Sequence, residues 1–500
     1  MKWILTAAGA RGADGCASKS GIPPMVLMER AALSVLRVID EEQLPTDRVL
    51  VAAGTGNNGG DGIAVARLLY ERGLKPLIFL YGDPEKMSAE TREQMHILEQ
   101  YSPVFTDRIP EDRTLIIDAL FGTGLNRAVG GPAAEVIRSI NASGAARLAV
   151  DIASGVSADT GSVPGEAVRA DYTVTFSFGK RGHYFYPGAS YTGRLTVAPI
   201  GITELHIQEK EKELKSFGES DLAGMFPRDE SGNKGTFGKL LVIAGSRQIC
   251  GAAYLASFSA AQTGIGMVRI FTEETNRAPL ASSFPEALIT TYREGAVGRG
   301  ALEESMRWAD AVLIGPGLGT DKTAEEILRC ALAFGELPLV MDADALNLMA
   351  AHPDLWDFVR VPCVITPHAA EMSRISGTAV REIKSDPVGA ARRFAAEHSV
   401  VCALKDARTV IAPPSGCAWL NTAGNSALAK AGSGDVLAGI LAGIVTRDVK
   451  SGGRLTPERL ARLTAAACFV HGKCGELLSE KTSEGTARTS DLALELHRFF

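Results

Sequence analysis

The chain has 500 residues, of which 46% are hydrophobic and 22% charged, and its formal net charge is −6. This length exceeds that of one ordinary domain, and the composition excludes a mostly disordered or fibrous chain. The acidic balance gives no electrostatic reason to expect binding to nucleic acid or to an anionic membrane.

The apolar segments are too short for a membrane anchor, and the thiols indicate a reducing compartment. The longest apolar candidate, from Val436 to Val445, falls well below the ~18 residues of a membrane span. Arg11 closes the apolar run near the N-terminus too early for a signal peptide. The eight cysteines include no CxxC pair, so we expect reduced thiols and a cytoplasmic location. Cys468, His471 and Cys474 could lie on one face of a helix, but we interpret them as packed core residues and not as ligands of a zinc ion.

Short apolar strands alternate with amphipathic helical stretches between Arg48 and Ile152, as in a parallel sheet covered on both faces. The predicted elements are strands over 48–53, 76–81, 114–119 and 147–152 and helices over 62–72, 88–101 and 133–141. After Asp171, two strands follow with little between them.

A second alternating series begins at Lys239 and continues with strands near 311–315, 338–342, 363–366 and 400–404. Between the two series lies a charged segment, from Glu209 to Lys215, which we interpret as a solvated linker or the start of a helix. The sequence therefore predicts two three-layer α/β/α domains, residues 1–215 and 216–500.

The first predicted strand runs into a glycine-rich loop, Gly54 to Gly62, at the start of a helix. Gly54, Gly56 and Gly59 have the spacing of GxGxxG, whose backbone amides can hold a phosphate. The spacing would fit a dehydrogenase, but the loop also contains Asp61, and a carboxylate repels a pyrophosphate. This argues against a dehydrogenase. Glycines that merely form a turn are the simpler alternative.

Polar side chains also end two neighbouring strands. Asp118 ends one strand, and Asp151 and Ser154 follow the next. The carboxyl ends of parallel strands share one edge of the sheet, so we expect these groups to converge with Asn58. Each aspartate taken singly is better explained as a helix cap or turn former. Together, their hard oxygens suggest a cation site.

Residues 1 to about 210 resemble the NAD(P)H-hydrate epimerase family, a Rossmann-like domain. The matching motifs are Met25–Ala31, Asn57–Asp61, Asp118 with the turn 122–124, and 151–155. The resemblance implies potassium ligands, Asn58, Asp118 and Ser154, and a proton-transfer residue, Asp151. The family usually has proline where this chain has Ala153, so the loop is less rigid. The implied substrate-binding residues are Asn57, Asn58, Gly59, Gly60, Asp61, Gly122, Thr123, Gly124, Leu125, Asn126, Arg127, Ala128 and Asp151.

In the second half, Gly432, Ser433 and Gly434 can direct successive amides into one concavity, beside a helix that is predicted to start at about Asp435. A transferring phosphoryl group would be stabilised there, and Asp435 could accept a proton from a substrate hydroxyl. The simpler interpretation of Asp435 is a helix cap. His368, after Thr-Pro, is either a substrate contact or a turn residue on the surface.

This half resembles the ribokinase-like superfamily and, within it, the NAD(P)H-hydrate dehydratases. The Gly-Ser-Gly-Asp segment, Thr-Pro-His-Ala-Ala-Glu, Asn-Thr-Ala-Gly-Asn and Gly-Pro-Gly-Leu-Gly carry the resemblance. It implies that Ala252, Gly317, His368 and Asp435 contact the hydrated nucleotide. Asp406 stands where the family more often has glycine. The implied ADP-binding residues are Lys405, Asp406, Ala407, Arg408, Thr409 and Gly434.

The two resemblances together imply a bifunctional NAD(P)H-hydrate repair enzyme. NADH and NADPH slowly add water across the nicotinamide 5,6 double bond, which gives R and S hydrates, NADHX and NADPHX. The first domain would interconvert the epimers, and the second would dehydrate the S form with ADP or ATP, magnesium and Asp435 as the base. We also expect a homo-oligomer. The alternatives are a vitamin-precursor kinase, of the hydroxymethylpyrimidine or thiazole type, and a noncatalytic ligand-binding scaffold.

Overall fold

The computed structural model describes residues 2–125 and 127–500. The described chain divides into two compact units, Lys2–Leu214 and Lys215–Phe500. Each unit is built on a largely parallel sheet with helices, so the predicted α/β fold class is confirmed. Among these residues, the search for a helix with the length and hydropathy of a membrane span finds none.

The described part of the first unit contains nine strands and six α-helices. The strands are β1 (Lys2–Leu5), β2 (Val49–Ala53), β3 (Leu77–Leu80), β4 (Val104–Thr106), β5 (Leu115–Ala119), β6 (Ala146–Val150), β7 (Tyr172–Phe176), β8 (Gly179–Lys180) and β9 (Arg194–Ala198). The helices are α1 (Ala7–Lys19), α2 (Pro24–Glu41), α3 (Asn57–Glu71), α4 (Ala89–Glu99), α5 (Gly131–Ala142) and α6 (Ala189–Thr192).

Seven of these strands form a parallel sheet in the order β4-β3-β2-β5-β6-β7-β9, and β1 pairs with β8. Alternate side chains of β2 enter two different cores. Val49 and Val51 pack with residues of α2 and α3, whereas Leu50 packs with residues of α5. Because successive strand residues point to opposite faces, this division gives the predicted three layers.

Helix α3 begins at Asn57, inside the segment predicted to be a loop before a helix over 62–72. The glycines there allow close packing. A Cβ at Gly59 would lie 1.9 Å from the carbonyl oxygen of Gly54, and one at Gly62 would lie 2.5 Å from Ala119 Cβ. The loop prediction was therefore wrong by about one turn, because glycine's low helix propensity is outweighed here by packing that only glycine permits.

The charged segment contains a 3₁₀ turn, Glu209–Glu211, and leads into strand β10 (Leu214–Ser216). Lys212 pairs with Glu209 at 2.5 Å, and the side chain of Leu214 is fully buried. The segment is thus an ordered connection that begins polar and ends apolar.

The second unit continues the numbering with nine strands and twelve α-helices. The strands are β11 (Lys239–Ile243), β12 (Met267–Glu273), β13 (Leu288–Tyr292), β14 (Ala311–Ile314), β15 (Leu339–Met341), β16 (Cys363–Ile365), β17 (Val401–Leu404), β18 (Val410–Ala412) and β19 (Ala418–Leu420). The helices are α7 (Glu219–Leu222), α8 (Gly251–Gln262), α9 (Arg277–Ser283), α10 (Arg299–Trp308), α11 (Lys322–Phe334), α12 (Asp344–Ala351), α13 (Ala369–Ser376), α14 (Val380–Ser385), α15 (Pro387–His398), α16 (Ser433–Lys450), α17 (Pro457–Lys481) and α18 (Thr489–Leu492).

These strands follow the order β13-β12-β11-β14-β15-β16-β17-β18-β19, parallel as far as β17 and antiparallel at β18 and β19. The apolar helices α8 and α16 pack closely beneath the sheet. A Cβ at Gly439 in α16 would lie 2.1 Å from the carbonyl oxygen of Ala256 in α8. Gly439 therefore sets the distance between these two helices.

We predict that Gly439→Ala destabilises the chain. The added methyl group collides with backbone of α8, and overpacking of this kind costs about 1–3 kcal/mol, more than the ~1 kcal/mol that alanine gains over glycine in a helix. Urea unfolding measures the change in unfolding free energy. Gly300→Ala in α10 is the matched control, since its Cβ would meet open space. Equal stability of the two variants would contradict this account of the packing.

Candidate functional site

A cavity of about 950 Å³ lies at the carboxyl edge of the first unit's sheet. Helices α1 and α2, the first turn of α3 and the turn after β5 contribute to its wall. Three predicted residues, Gly59, Gly60 and Ala128, do not line it, and Asn126 lies outside the described residues. The predicted residues that do line it are Asn57, Asn58, Asp61, Gly122, Thr123, Gly124, Leu125, Arg127 and Asp151.

Two of the predicted potassium ligands lie fully buried beside this cavity and contact each other. The Asp118 carboxylate accepts hydrogen bonds from the Ser154 hydroxyl at 2.6 Å and from the Ser154 backbone amide at 2.9 Å. Burial raises the pKa of Asp118 to about 6, although the bonds from Ser154 oppose the rise. The Ser154 hydroxyl oxygen also accepts a hydrogen bond from the Phe121 amide at 2.9 Å.

The third predicted ligand, Asn58, has a side chain whose oxygen and nitrogen are buried without a hydrogen-bond partner. A Cβ at Gly122 would lie 2.9 Å from Asn58 Cβ, so Asn58 lies against the turn that Ser154 holds through Phe121. An orphaned amide oxygen, a carboxylate and a hydroxyl on adjoining turns are the hard oxygen donors that fit an alkali cation. The described residues hold no cluster of His, Cys, Asp and Glu suited to a metal ion.

Asp151 follows β6 in the left-handed region, with φ 65°, and forms an ion pair with Lys180. Lys180 Nζ lies 2.5 Å from Asp151 Oδ1 and 2.7 Å from Thr175 Oγ1, and it is only 3% exposed. The Thr175 hydroxyl donates to the same carboxylate oxygen at 3.0 Å. A buried network of this kind fixes both the position and the charge of the Asp151 carboxylate.

His183 supports the backbone of Asp151. Its Nδ1 accepts a hydrogen bond from the Lys180 amide at 3.0 Å, so the proton is assigned to Nε2, which lies 2.9 Å from the Asp151 carbonyl oxygen. Burial and the charge of Lys180 lower the pKa of His183 to about 4, which keeps the ring neutral. Sequence reasoning missed Lys180 and His183, although the basic Gly-Lys-Arg-Gly-His segment that begins with β8 was a usable signal.

The surroundings of the cavity's carboxyls shift their pKa values in different directions. Burial opposes ionisation of Asp151, yet Lys180, His183 and Thr175 together lower its pKa. Burial, reinforced by the charges of Asp151 and Asp14, raises the pKa of Asp61 well above its usual range. Asp14, on α1, also lines the cavity; the residue as a whole is exposed, but partial desolvation of its carboxyl raises the pKa. Nothing in the sequence pattern marked Asp14.

In the second unit, the glycine-rich segment leads directly into α16. The helix starts at Ser433, not at about Asp435 as predicted, and Gly432 before it adopts φ 86°. Asp435 therefore lies within the first turn and is not the helix cap. The Ser433 hydroxyl pairs with His471 Nε2 at 3.2 Å, and burial together with the charge of Lys405 lowers the pKa of His471 to about 4. The Ser433 amide donates to the Lys430 carbonyl at 3.3 Å, so the amides of Gly434 and Asp435 are the first-turn donors left to bind an anion.

Lys405 and Asp342 form a second buried ion pair beside Asp435, with Lys405 Nζ 2.7 Å from Asp342 Oδ1. A Cβ at Gly434 would lie 3.4 Å from Lys405 Nζ. Burial and the Asp342 charge raise the pKa of Asp435 to about 7, although Lys405 opposes the rise. Asp342 was not among the predicted site residues, although the Asp-Ala-Asp turn was visible in the sequence.

The other predicted residues of this half divide into three groups. Gly317 and Ala252 lie together, since a Cβ at Gly317 would lie 3.0 Å from Ala252 Cβ. His368 caps α13, its Nδ1 accepting from the Ala370 amide at 3.1 Å, while half of its side chain stays exposed. The remaining group, Asp406, Ala407, Arg408 and Thr409, forms with Lys405 the hairpin loop between β17 and β18.

Comparison with known proteins covers both units. A family model described as NAD(P)H-hydrate dehydratase matches residues 240–498, and one described as YjeF-related protein N-terminus matches residues 24–182. A ribokinase-like superfamily protein from Enterococcus faecalis is a structural neighbour, with TM-score 0.50 and 28% identity. The match covers 57% of this chain and 95% of that one.

Two curated relatives match nearly the full length. The bifunctional NAD(P)H-hydrate repair enzyme of Moorella thermoacetica is 35% identical, over 98% of this chain and 95% of that protein. The enzyme of the same name from Escherichia coli is 33% identical, over 98% of this chain and 92% of that protein. The resemblance drawn from the motifs is confirmed: the chain belongs to the family of bifunctional NAD(P)H-hydrate repair enzymes.

Proposed function

We propose that the first unit interconverts the R and S hydrates of NADH and NADPH and that the second dehydrates the S hydrate with ADP. The observation that carries the proposal is common to both units. Each holds a buried aspartate–lysine pair at the carboxyl end of a parallel sheet, beside a glycine-rich helix start. Both units thus contain charged groups suited to catalysis, which argues against a noncatalytic scaffold.

In the first unit, the hydrated nicotinamide would occupy the cavity with its C6 hydroxyl near Asp151. The Asp151 carboxylate, held ionised by Lys180, is suited to accept a proton or to stabilise positive charge that develops on the ring. Asn58, Asp118 and Ser154 would hold potassium, which would supply positive charge near the phosphates of the nucleotide. The orphaned amide of Asn58 supports this assignment.

In the second unit, dehydration first requires a better leaving group than hydroxide. Asp435 would take the proton of the C6 hydroxyl as its oxygen attacks the terminal phosphoryl group of ADP, and AMP departs. The amides at the start of α16 would stabilise the transferring phosphoryl group. The lone pair of the ring nitrogen would then expel phosphate to give the C6=N1 iminium, and loss of a proton from C5 to solvent would restore the 5,6 double bond of NAD(P)H. Magnesium is expected with the phosphates of ADP.

A vitamin-precursor kinase would share the phosphoryl transfer but release a stable phosphorylated product. The attached first unit, with its charged cavity, favours hydrate repair over that alternative. The test is to incubate the full chain with a mixture of R- and S-NADHX, with and without ADP, and to follow the absorbance of regenerated NADH. Conversion of both epimers only with ADP is expected. Retention of a phosphorylated product would support the kinase.

We predict that Asp435→Asn abolishes ADP-dependent dehydration while epimerisation persists. Asparagine keeps the size but cannot accept the hydroxyl proton, and loss of a general base reduces kcat by roughly 10²–10⁴-fold. In the unaltered chain, the base works only when ionised, so dehydration should increase as pH rises through about 7.

A second variant tests the source of that pH dependence. Asp342→Asn removes the nearest carboxylate charge and should move the midpoint of the dehydration profile to lower pH. Dehydration by Asp435→Asn at more than half of the original rate, or a midpoint that Asp342→Asn leaves unmoved, would contradict the role given to Asp435.

We also predict that potassium raises the melting temperature of the first unit through Asp118. Asp118→Ala should remove this increase, because the site then lacks its only carboxylate ligand. Sodium chloride at equal concentration controls for ionic strength. Asp112→Ala is the matched variant, since that carboxylate is exposed and pairs with Arg113. If potassium stabilised the Asp118 variant as much as the unaltered chain, the ligand assignment would be wrong.

A further inference from the structure

Besides Asp151, the first cavity contains another carboxyl, Asp61, that has no role in the proposed epimerase function; the inference drawn from its position rests on that function. Asp61 lies in the early part of α3 and lines the cavity. A Cβ at Gly60 would lie 2.6 Å from Met28 Cε and from Thr91 Oγ1, so this side of α3 is pressed against its neighbours. Because Gly60 and Gly62, on either side of Asp61, both pack closely against other elements, the rotation of α3 is fixed with Asp61 at the cavity.

The Asp61 carboxyl has no protein partner that would compete with a ligand. Among the described residues, none makes a hydrogen bond or ion pair with it. Lys180, the buried cation of the cavity, is already bonded to Asp151 and Thr175. A carboxyl that is half-buried, unpaired and in the wall of a cavity is available to whatever binds there.

The charged groups of the cavity affect the Asp61 and Asp151 carboxyls differently. Asp14, Asp61 and Asp151 all line the cavity and interact electrostatically with Lys180, which compensates Asp151 directly. Asp61 lies deeper than the exposed Asp14 and bears the repulsion of both. The remaining charged groups that line the cavity are Arg11, Asp83, Lys86, Glu90 and Arg127. Two carboxyls whose environments favour opposite protonation states form an acid and base pair.

We propose that Asp61 is the general acid of the epimerase site and donates its proton to the C6 hydroxyl of the bound hydrate, while Asp151 is the base for the returning water. The C6–O bond breaks and its electron pair leaves with water, as the lone pair of the ring nitrogen forms the C6=N1 bond of a planar iminium. A water molecule then adds to the other face of C6, and its proton passes to Asp151.

The reaction leaves Asp61 ionised and Asp151 protonated, with the configuration at C6 inverted and no net consumption of water. The cavity returns to its starting state when the two carboxyls exchange protons through solvent. The reverse conversion uses the same groups in exchanged roles. No oxidant, reductant or additional reactant is needed.

The test is to measure interconversion of separated R- and S-NADHX by the full chain with Asp61→Asn. We expect kcat to fall by roughly 10²–10⁴-fold with little change in KM, as for loss of a proton donor. The alkaline limb of the kcat/KM profile should disappear from the residual activity. Asp61→Glu, which keeps the acid, should recover part of the rate. Dehydration of S-NADHX with ADP in the same preparation verifies that the variant chain is active.

A neighbouring variant separates an acid from a structural residue. Asp14→Asn removes one repelling charge, so Asp61 should lose its proton at lower pH and the alkaline limb should shift in that direction. The proposal would be overturned if Asp61→Asn raised KM without lowering kcat. It would also be overturned if the variant kept the alkaline limb of the kcat/KM profile. If the unaltered chain fails to interconvert the epimers at all, the proposed epimerase function fails instead.

Discussion

In both units a lysine is buried against an aspartate at the carboxyl end of a parallel strand, and the two candidate sites depend on these pairs. In each pair one side chain is nearly inaccessible to water, Lys180 at 4% and Asp342 at 2%, while its partner is 15% or 19% exposed. Removing one member of a buried pair leaves an uncompensated charge, which typically costs about 3–5 kcal/mol. A hydrophobic pair could stabilise such positions equally well. These pairs are therefore better explained by the electrostatic field they create for Asp61 and Asp435 than by stability.

The pairs also require unusual backbone. Asp151 and Ala343, the residue after Asp342, both adopt left-handed conformations, with φ 65° and φ 51°. Residues other than glycine rarely adopt this region, and the strain is of order 1–3 kcal/mol each. In both cases the turn follows a fully buried strand end and directs a carboxyl group towards its lysine. The two units thus reach a similar arrangement with different strand orders.

The fold class could be predicted from the sequence because strand–helix alternation is a local pattern that burial enforces. Most of the substrate-binding residues that the motifs indicated for the first unit do line its cavity, since parallel strand ends meet at one edge. Helix starts were less predictable. Both α3 and α16 begin inside glycine-rich segments, and at the start of α3 the packing of Gly59 against Gly54 matters more than helix propensity. Asp14 could not be predicted because only three-dimensional proximity gives it a role, whereas Lys180 and Asp342 lie in sequence patterns that did not reveal which carboxyl group or lysine each would contact.

His183 has a consequence for how the first site responds to its surroundings. Its ring bridges the Lys180 amide and the Asp151 carbonyl, and with a pKa near 4 it stays uncharged throughout the neutral range. The imidazole therefore supports the turn through hydrogen bonds without changing its charge, although histidine is the side chain that most often titrates near neutral pH. Its spectroscopic resonances should report the geometry of the turn without titrating, so they offer a clean reference against which the ionisation of the nearby carboxyls can be followed.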